Sequence, residues 1–239
     1  MLAFKAEVVI GVLLVVRHRT PRLAALLVLV VVTSTLAAGR EVTAAHSVWL
    51  SLVVTGLLGA VAASRLLAPG ANLAAGYRVA SPWWLVPSGR LAGGLLALLP
   101  VVTGVALLLG AVGLTTQGSV RLSALIICYA ATSSSLVLAL TPVIGASAAA
   151  AIGFFLAWFG TVPPSAVALA VERWSLIRGP LVLTWNTLPL GWRAIRWFEA
   201  GNALDCGLFV CWLLAGITVS AWSLSSSYRL RDRLPGADL

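Results

Sequence analysis

Six stretches of this chain run for about the length of a bilayer crossing with almost no charge: roughly 22–39, 47–67, 91–114, 120–141, 143–161 and 204–226. The centres of all six lack Asp, Glu, Lys and Arg. A helix crosses the hydrocarbon core with about 20 apolar residues, so each run is long enough to span. Water offers no alternative home for them. Only 10% of the 239 residues are charged and the mean hydropathy is +1.02, whereas a soluble domain is roughly a quarter charged. The expected fold class is an all-α membrane protein with six transmembrane helices.

The breaks between runs shape the rest of the expectation. Thr141-Pro142 separates the fourth and fifth runs, and a proline there stops the helix and supplies a tight turn. Small residues from Ser147 to Ala151 suit close helix packing. Two apolar segments do not read as spans. Residues 2–16 are short, carry Lys5 and Glu7, and precede Arg17, His18, Arg19 and Arg22. Residues 1–21 are therefore expected to form an amphipathic helix lying in the interface, followed by a six-span membrane domain over 22–239. The stretch 163–201 holds Pro163, Pro164, Pro180 and Pro189 with Trp174, Trp185, Trp192 and Trp197. It is expected to form short re-entrant or interfacial helices between spans five and six, with the tryptophans at headgroup level. Leu188, Trp192, Ile195 and Phe198 share one helical face there, while Arg193 and Arg196 point elsewhere. Two of the segment's arginines have Glu172 and Glu199 as available partners.

The net charge of +9 would point to nucleic acid in a soluble protein, but here the arginines sit in short gaps between apolar runs. They set topology and meet anionic headgroups, so membrane lipid is the expected partner and nucleic acid is not. With the N-terminus inside, Lys5, Arg17, Arg19, Arg22, Arg65, Arg78, Arg90, Arg229, Arg231 and Arg233 are cytoplasmic, against six arginines outside. Both termini are expected inside. Cys206 and Cys211, five apart on one helix, are not placed to bridge, and no cleavage site follows the first apolar run.

Chemistry is sparse. The sequence has no HExxH, no GxSxG and no nucleotide-cradling glycine loop, and its single lysine is Lys5. No catalytic residue, metal site or cofactor site is assigned. Ion-coupled transport is disfavoured because the spans lack central ionisable groups. Thr132 to Ser135 could line a polar seam, although such hydroxyls bond helix carbonyls more often.

The most informative loop reads GYRVASPWWLVPSGRL, residues 76–91. Together with an N-terminal helix, six spans and broken helices before the last one, it makes the chain resemble the permease subunits of type-2 ATP-binding-cassette (ABC) transporters, mostly exporters. The resemblance implies that residues 68–90 form a cytoplasmic coupling loop against an ATPase subunit. Arg78, Ser81, Pro82 and Arg90 match the family's pattern, and Trp83 and Trp84 are the candidate anchors. A proline-started helix makes a rigid knob, and its aromatics can fill a groove on a soluble partner.

The same resemblance implies a bacterial cytoplasmic membrane, a second permease copy or sibling, and ATP with magnesium on the separate ATPase. It also implies that spans two and five face the partner permease and that Trp174, Trp185, Trp192 and Trp197 mark the outer gate. An exported substrate would be amphipathic or hydrophobic. A rival reading from another class is a non-transporting scaffold that anchors other proteins. An intramembrane lipid-modifying enzyme would have to use Glu172, Arg173, Arg178, Arg193, Arg196 and Glu199.

Overall fold

A backbone amide or carbonyl inside hydrocarbon finds no water, so a chain this apolar must close its hydrogen bonds within each segment, as helix. The computed structural model describes residues 2–37, 44–66, 84–113, 116–188, 190–201 and 203–232. Over these the chain forms ten helices and no strand: α1 (Leu2–Arg17), α2 (Arg19–Ala37), α3 (Ala44–Leu66), α4 (Leu85–Gly113), α5 (Thr116–Ile144), α6 (Ala146–Phe159), α7 (Pro164–Ala170), α8 (Ser175–Thr187), α9 (Gly191–Ala200) and α10 (Ala203–Asp232).

Four of these helices contain segments long and apolar enough to cross a membrane: Val48–Leu66, Leu85–Val105, Val120–Ile144 and Leu204–Ser223. A fifth crossing exists if α6 and α7 count as one span, although they meet at a bend of 102°. The chain is thus a multi-pass helical membrane protein with four to five such elements among the described residues, where six were expected. The first expected run lies on α2, and its last residues, 38 and 39, fall outside the described residues. The fifth is shorter than expected, because the 14 residues of α6 rise only about 21 Å against a hydrocarbon core of about 30 Å.

The break before α6 is not where proline suggested. Pro142 lies inside α5, and the helix runs on to Ile144. Proline removes the N–H that would bond the carbonyl four residues back and crowds that carbonyl, yet α5 continues two residues past it. The reversal falls instead on Gly145, whose φ of 84° is a conformation that side chains rarely adopt. Its N–H donates to the Thr141 carbonyl, and its own carbonyl accepts from Ala149 N–H. One residue therefore ends α5 and starts α6.

α3 is the most enclosed span, packed against α4, α5 and α6. Its contact with α6 is made of small residues. Cβ atoms added at Gly56 and Gly153 would lie 2.7 Å from Ala157 and 2.5 Å from Ala60. Ala149 is fully buried in the same seam. Such residues let two backbones approach, as the small-residue run predicts. α10 sits outside, chiefly against α5, and only 28% of its span is buried against 72% for α3. α6 has an exposed aromatic face at Phe154, Phe155, Trp158 and Phe159.

α1 crosses the start of α4, and its inward face carries Glu7, Gly11 and Val15, while Lys5, Val9, Leu13 and Val16 are exposed. Glycine makes this crossing possible. A side chain at Gly11 would meet the Arg90 carbonyl, and one at Gly93 would meet the carbonyl of Val8.

Candidate functional site

Two clusters of charge mark the ends of the bundle. One lies where α3 ends and α4 begins. The other lies where the start of α3, the end of α6 and helices α7–α9 meet, since Trp49 Nε1 donates to Thr161 Oγ1 at 3.0 Å and Trp192 N–H to Gly160 O at 2.8 Å.

At the first end, Arg90 stands in the opening turns of α4, because that helix begins at Leu85 rather than near residue 91. Its Nε donates to Glu7 Oε2 at 2.8 Å and its Nη1 to the Leu66 carbonyl at 3.0 Å. Both side chains are enclosed, 3% and 11% exposed, so this pair is shielded from screening and neither charge can be lost cheaply. Arg90 therefore joins α1, the last residue of α3 and the start of α4. Arg78, Ser81, Pro82 and Trp83 lie outside the described residues. Trp84 immediately precedes α4 and is exposed, and its carbonyl accepts from the Ser88 amide and hydroxyl.

At the second end the short helices expected over 163–201 are present as α7, α8 and α9, none long enough to cross. Prolines help set their positions: Pro164 opens α7, where a missing N–H is harmless. The charge pairing differs from the expectation. Arg193 and Arg196 turn to Asp205, not to Glu172 or Glu199. Arg193 Nη1 reaches Asp205 Oδ1 at 2.6 Å, and Arg196 reaches Oδ1 at 2.6 Å and Oδ2 at 2.8 Å. Arg193 Nη2 also donates to the Asn186 carbonyl. Asp205 is wholly buried in the first turn of α10, where the helix dipole favours an anion. The Asp205 hydrogen bond holds the Arg196 guanidinium above its ordinary pKa, outweighing partial desolvation.

The tryptophans at this end are mostly structural. Trp185 and Trp192 are buried with Leu190, and Trp185 Nε1 donates to Val162 O at 2.9 Å. The Trp192 ring lies under both guanidinia, at 4.8 and 5.2 Å, which is cation–π distance. Trp197 packs with Ile195 and Phe198 on the main core, and Trp174 alone of the four expected gate residues is fully exposed. A further indole was not singled out: Trp212 Nε1 on α10 donates to the Thr187 carbonyl at 2.6 Å. These contacts fasten α8 and α9 to α6 and α10.

Between the ends, the hydroxyls of α5 serve packing. Thr132 Oγ1 donates to Cys128 O and to Phe209 O of α10, at 3.0 and 3.2 Å. Ser133 and Ser135 bond carbonyls one turn back. Among the described residues no three His, Cys, Asp or Glu side chains gather as metal ligands, and all three cysteines are free.

Sequence reading missed Asp205 and the partnership of Glu7 with Arg90. A usable signal existed. Glu7 and Asp205 stand inside apolar stretches of α1 and α10, where an ionised group demands a cation, whereas Asp232 lies at the polar end of α10. No family model, curated protein or solved structure matches this chain.

Proposed function

We propose that this chain is the permease subunit of an ABC-type exporter in the cytoplasmic membrane of a bacterium. It would move an amphipathic or hydrophobic substrate with energy from a separate ATPase chain, and two permease copies or siblings would form the pathway. The observation that carries the reading is the set α7–α9. Three short helices stand between the last two long elements of the bundle and are fastened over one end of it by Asp205, Trp185 and Trp212. A pinned cap beside a rocking bundle suits an exit gate. The Arg90 cluster supports the same reading at the other end, where it gives residues 67–84 two joined and rigid ends from which to push.

In this scheme Arg78, Ser81, Pro82, Trp83 and Trp84 meet the ATPase, which holds ATP and magnesium. Closure of the ATPases pulls on the loop, and Arg90 passes that motion to α1, α3 and α4 together. Both termini lie inside, and α7–α9 lie outside.

Co-purification from native membranes tests the assignment. An ATP-binding-cassette ATPase recovered with the chain is the expected result. Replacing Pro82 and Trp83 with alanine should then sharply lower transport-linked ATP hydrolysis while the helices stay inserted. Normal coupled activity in that variant, or complexes that contain other membrane proteins and no ATPase, would favour the scaffold reading instead.

A further inference from the structure

Away from both charge clusters, α2 and α4 enclose a cleft of about 500 Å³. We infer that this cleft is a binding site for an anionic phospholipid of the surrounding bilayer, with the headgroup on the arginines of the α1–α2 junction and an acyl chain between the helices.

The walls are aliphatic. Leu26 and Leu29 of α2 face Pro100, Gly104 and Leu108 of α4, and Arg22 stands at the rim. Gly104 is the informative position, since a Cβ added there would meet nothing within 4 Å. Other glycines in this bundle, such as Gly93 and Gly153, are occupied by a neighbouring helix; this one opens on empty space. Pro100 contributes as well, because it leaves the α4 ladder one N–H short beside the cleft. The outward neighbours Leu26, Leu29, Leu107 and Leu108 are all exposed, so the cleft opens toward hydrocarbon.

The charge lies at one defined end. Arg22 Nη2 donates to the Arg17 carbonyl at 2.9 Å and its Nε to the His18 carbonyl at 3.3 Å, which fastens it over the end of α1. Arg22 stands in the first turn of α2 and lines the cleft itself, with Ala25, Leu26 and Leu29 following it along the helix, so the charge lies where α2 begins. Arg17, His18, Arg19 and Arg22 are all exposed, and no acid among the described residues pairs with them. Three fixed cations beside exposed leucines call for an anion that is itself attached to an apolar tail. Phospholipid supplies both, and arginine side chains are long enough to reach toward its headgroup. A neutral lipid would fill the cleft without answering the charge.

The test uses the full chain, delipidated in a neutral detergent and titrated with dioleoyl phosphatidylglycerol or dioleoyl phosphatidylcholine. Bound lipid is counted by native mass spectrometry. The expected result is tight binding of one phosphatidylglycerol, with Arg19→Gln/Arg22→Gln weakening it roughly thirtyfold, about fivefold for each arginine. Gly104→Leu, which fills the cleft, should weaken it by a similar factor and leave the arginines in place. Gly104→Val, a smaller filler, should weaken binding less and gives a second reading if the leucine variant misfolds. Equal binding of the two lipids overturns the proposal, as does phosphatidylglycerol binding that survives both Gly104 variants. A change of oligomeric state in Gly104→Leu with no change in lipid count also overturns it, since the cleft would then belong to a second copy of the chain.

Discussion

Glu7 and Asp205 are both buried acids answered by arginine, yet they are answered in different ways. Glu7 has one partner, Arg90, 83 positions away, and that same guanidinium also holds the Leu66 carbonyl. Asp205 has two partners only nine and twelve positions away, and one of them, Arg196, is 45% exposed. The first arrangement joins three separate elements through a single side chain. The second fastens a short helix to the span that follows it, with a spare. A sole long-range contact decides where elements go, whereas a doubled local one decides how firmly a neighbouring piece is held. The Arg90 end should therefore fail abruptly on mutation, and the Asp205 end gradually.

The largest expected effect follows from that difference. Arg90→Ala leaves Glu7 buried without its cation and should destabilise the protein by about 3–5 kcal/mol. Chemical denaturation in micelles measures this. Replacing both groups with apolar residues of similar size, Glu7→Met/Arg90→Met, should recover most of the loss. If the double variant is no better than Arg90→Ala, the pair is not the source of the effect. Next comes Asp205→Ala, expected to cost about 2 kcal/mol, because Arg196 can turn toward solvent while Arg193 keeps the Asn186 carbonyl. Protease cleavage between α9 and α10 should rise in that variant while the rest of the bundle stays protected. The smallest effect belongs to Arg196→Gln, below about 1 kcal/mol given its exposure. Arg193→Gln should lie between the two. The double Arg193→Gln/Arg196→Gln should lose more than the sum of the singles, since each arginine covers for the other. Strict additivity would remove the idea of a spare.

The sequence made the helices easy to find and their partners hard to find, for physical reasons. Apolar runs announce spans because charge is excluded along their whole length, and Pro163-Pro164 marks the start of the short helices, although Pro180 sits inside α8. The turn between α5 and α6 was misplaced because Pro142 is the louder residue, while Gly145 carries the conformation that reverses the chain. The N-terminal segment reads as interfacial because it is short and carries Lys5 and Glu7 ahead of a basic cluster. Nothing local says that Glu7 faces inward. That depends on Gly11 and Gly93 letting α1 lie against α4, and the contact joins residues more than 80 positions apart. Asp205 is easy to pass over because Glu172 and Glu199 lie within the same segment as the arginines. Spacing alone favours Glu199, three residues from Arg196 on the same helix, whereas Asp205 arrives from α10 and meets both arginines at once.

The Arg90–Leu66 bond has one more implication, for how this bundle can be altered. It brings the two ends of residues 67–84 together by an interaction that belongs to the helices and not to the residues between them. Once the ends are fixed, extra length is thermodynamically mild: doubling such a segment adds only about 0.6 kcal/mol of closure entropy. The bundle thus behaves as a socket with an interchangeable insert. Its helices can stay constant while the segment between Leu66 and Leu85 is lengthened, shortened or exchanged, with no change in the buried packing.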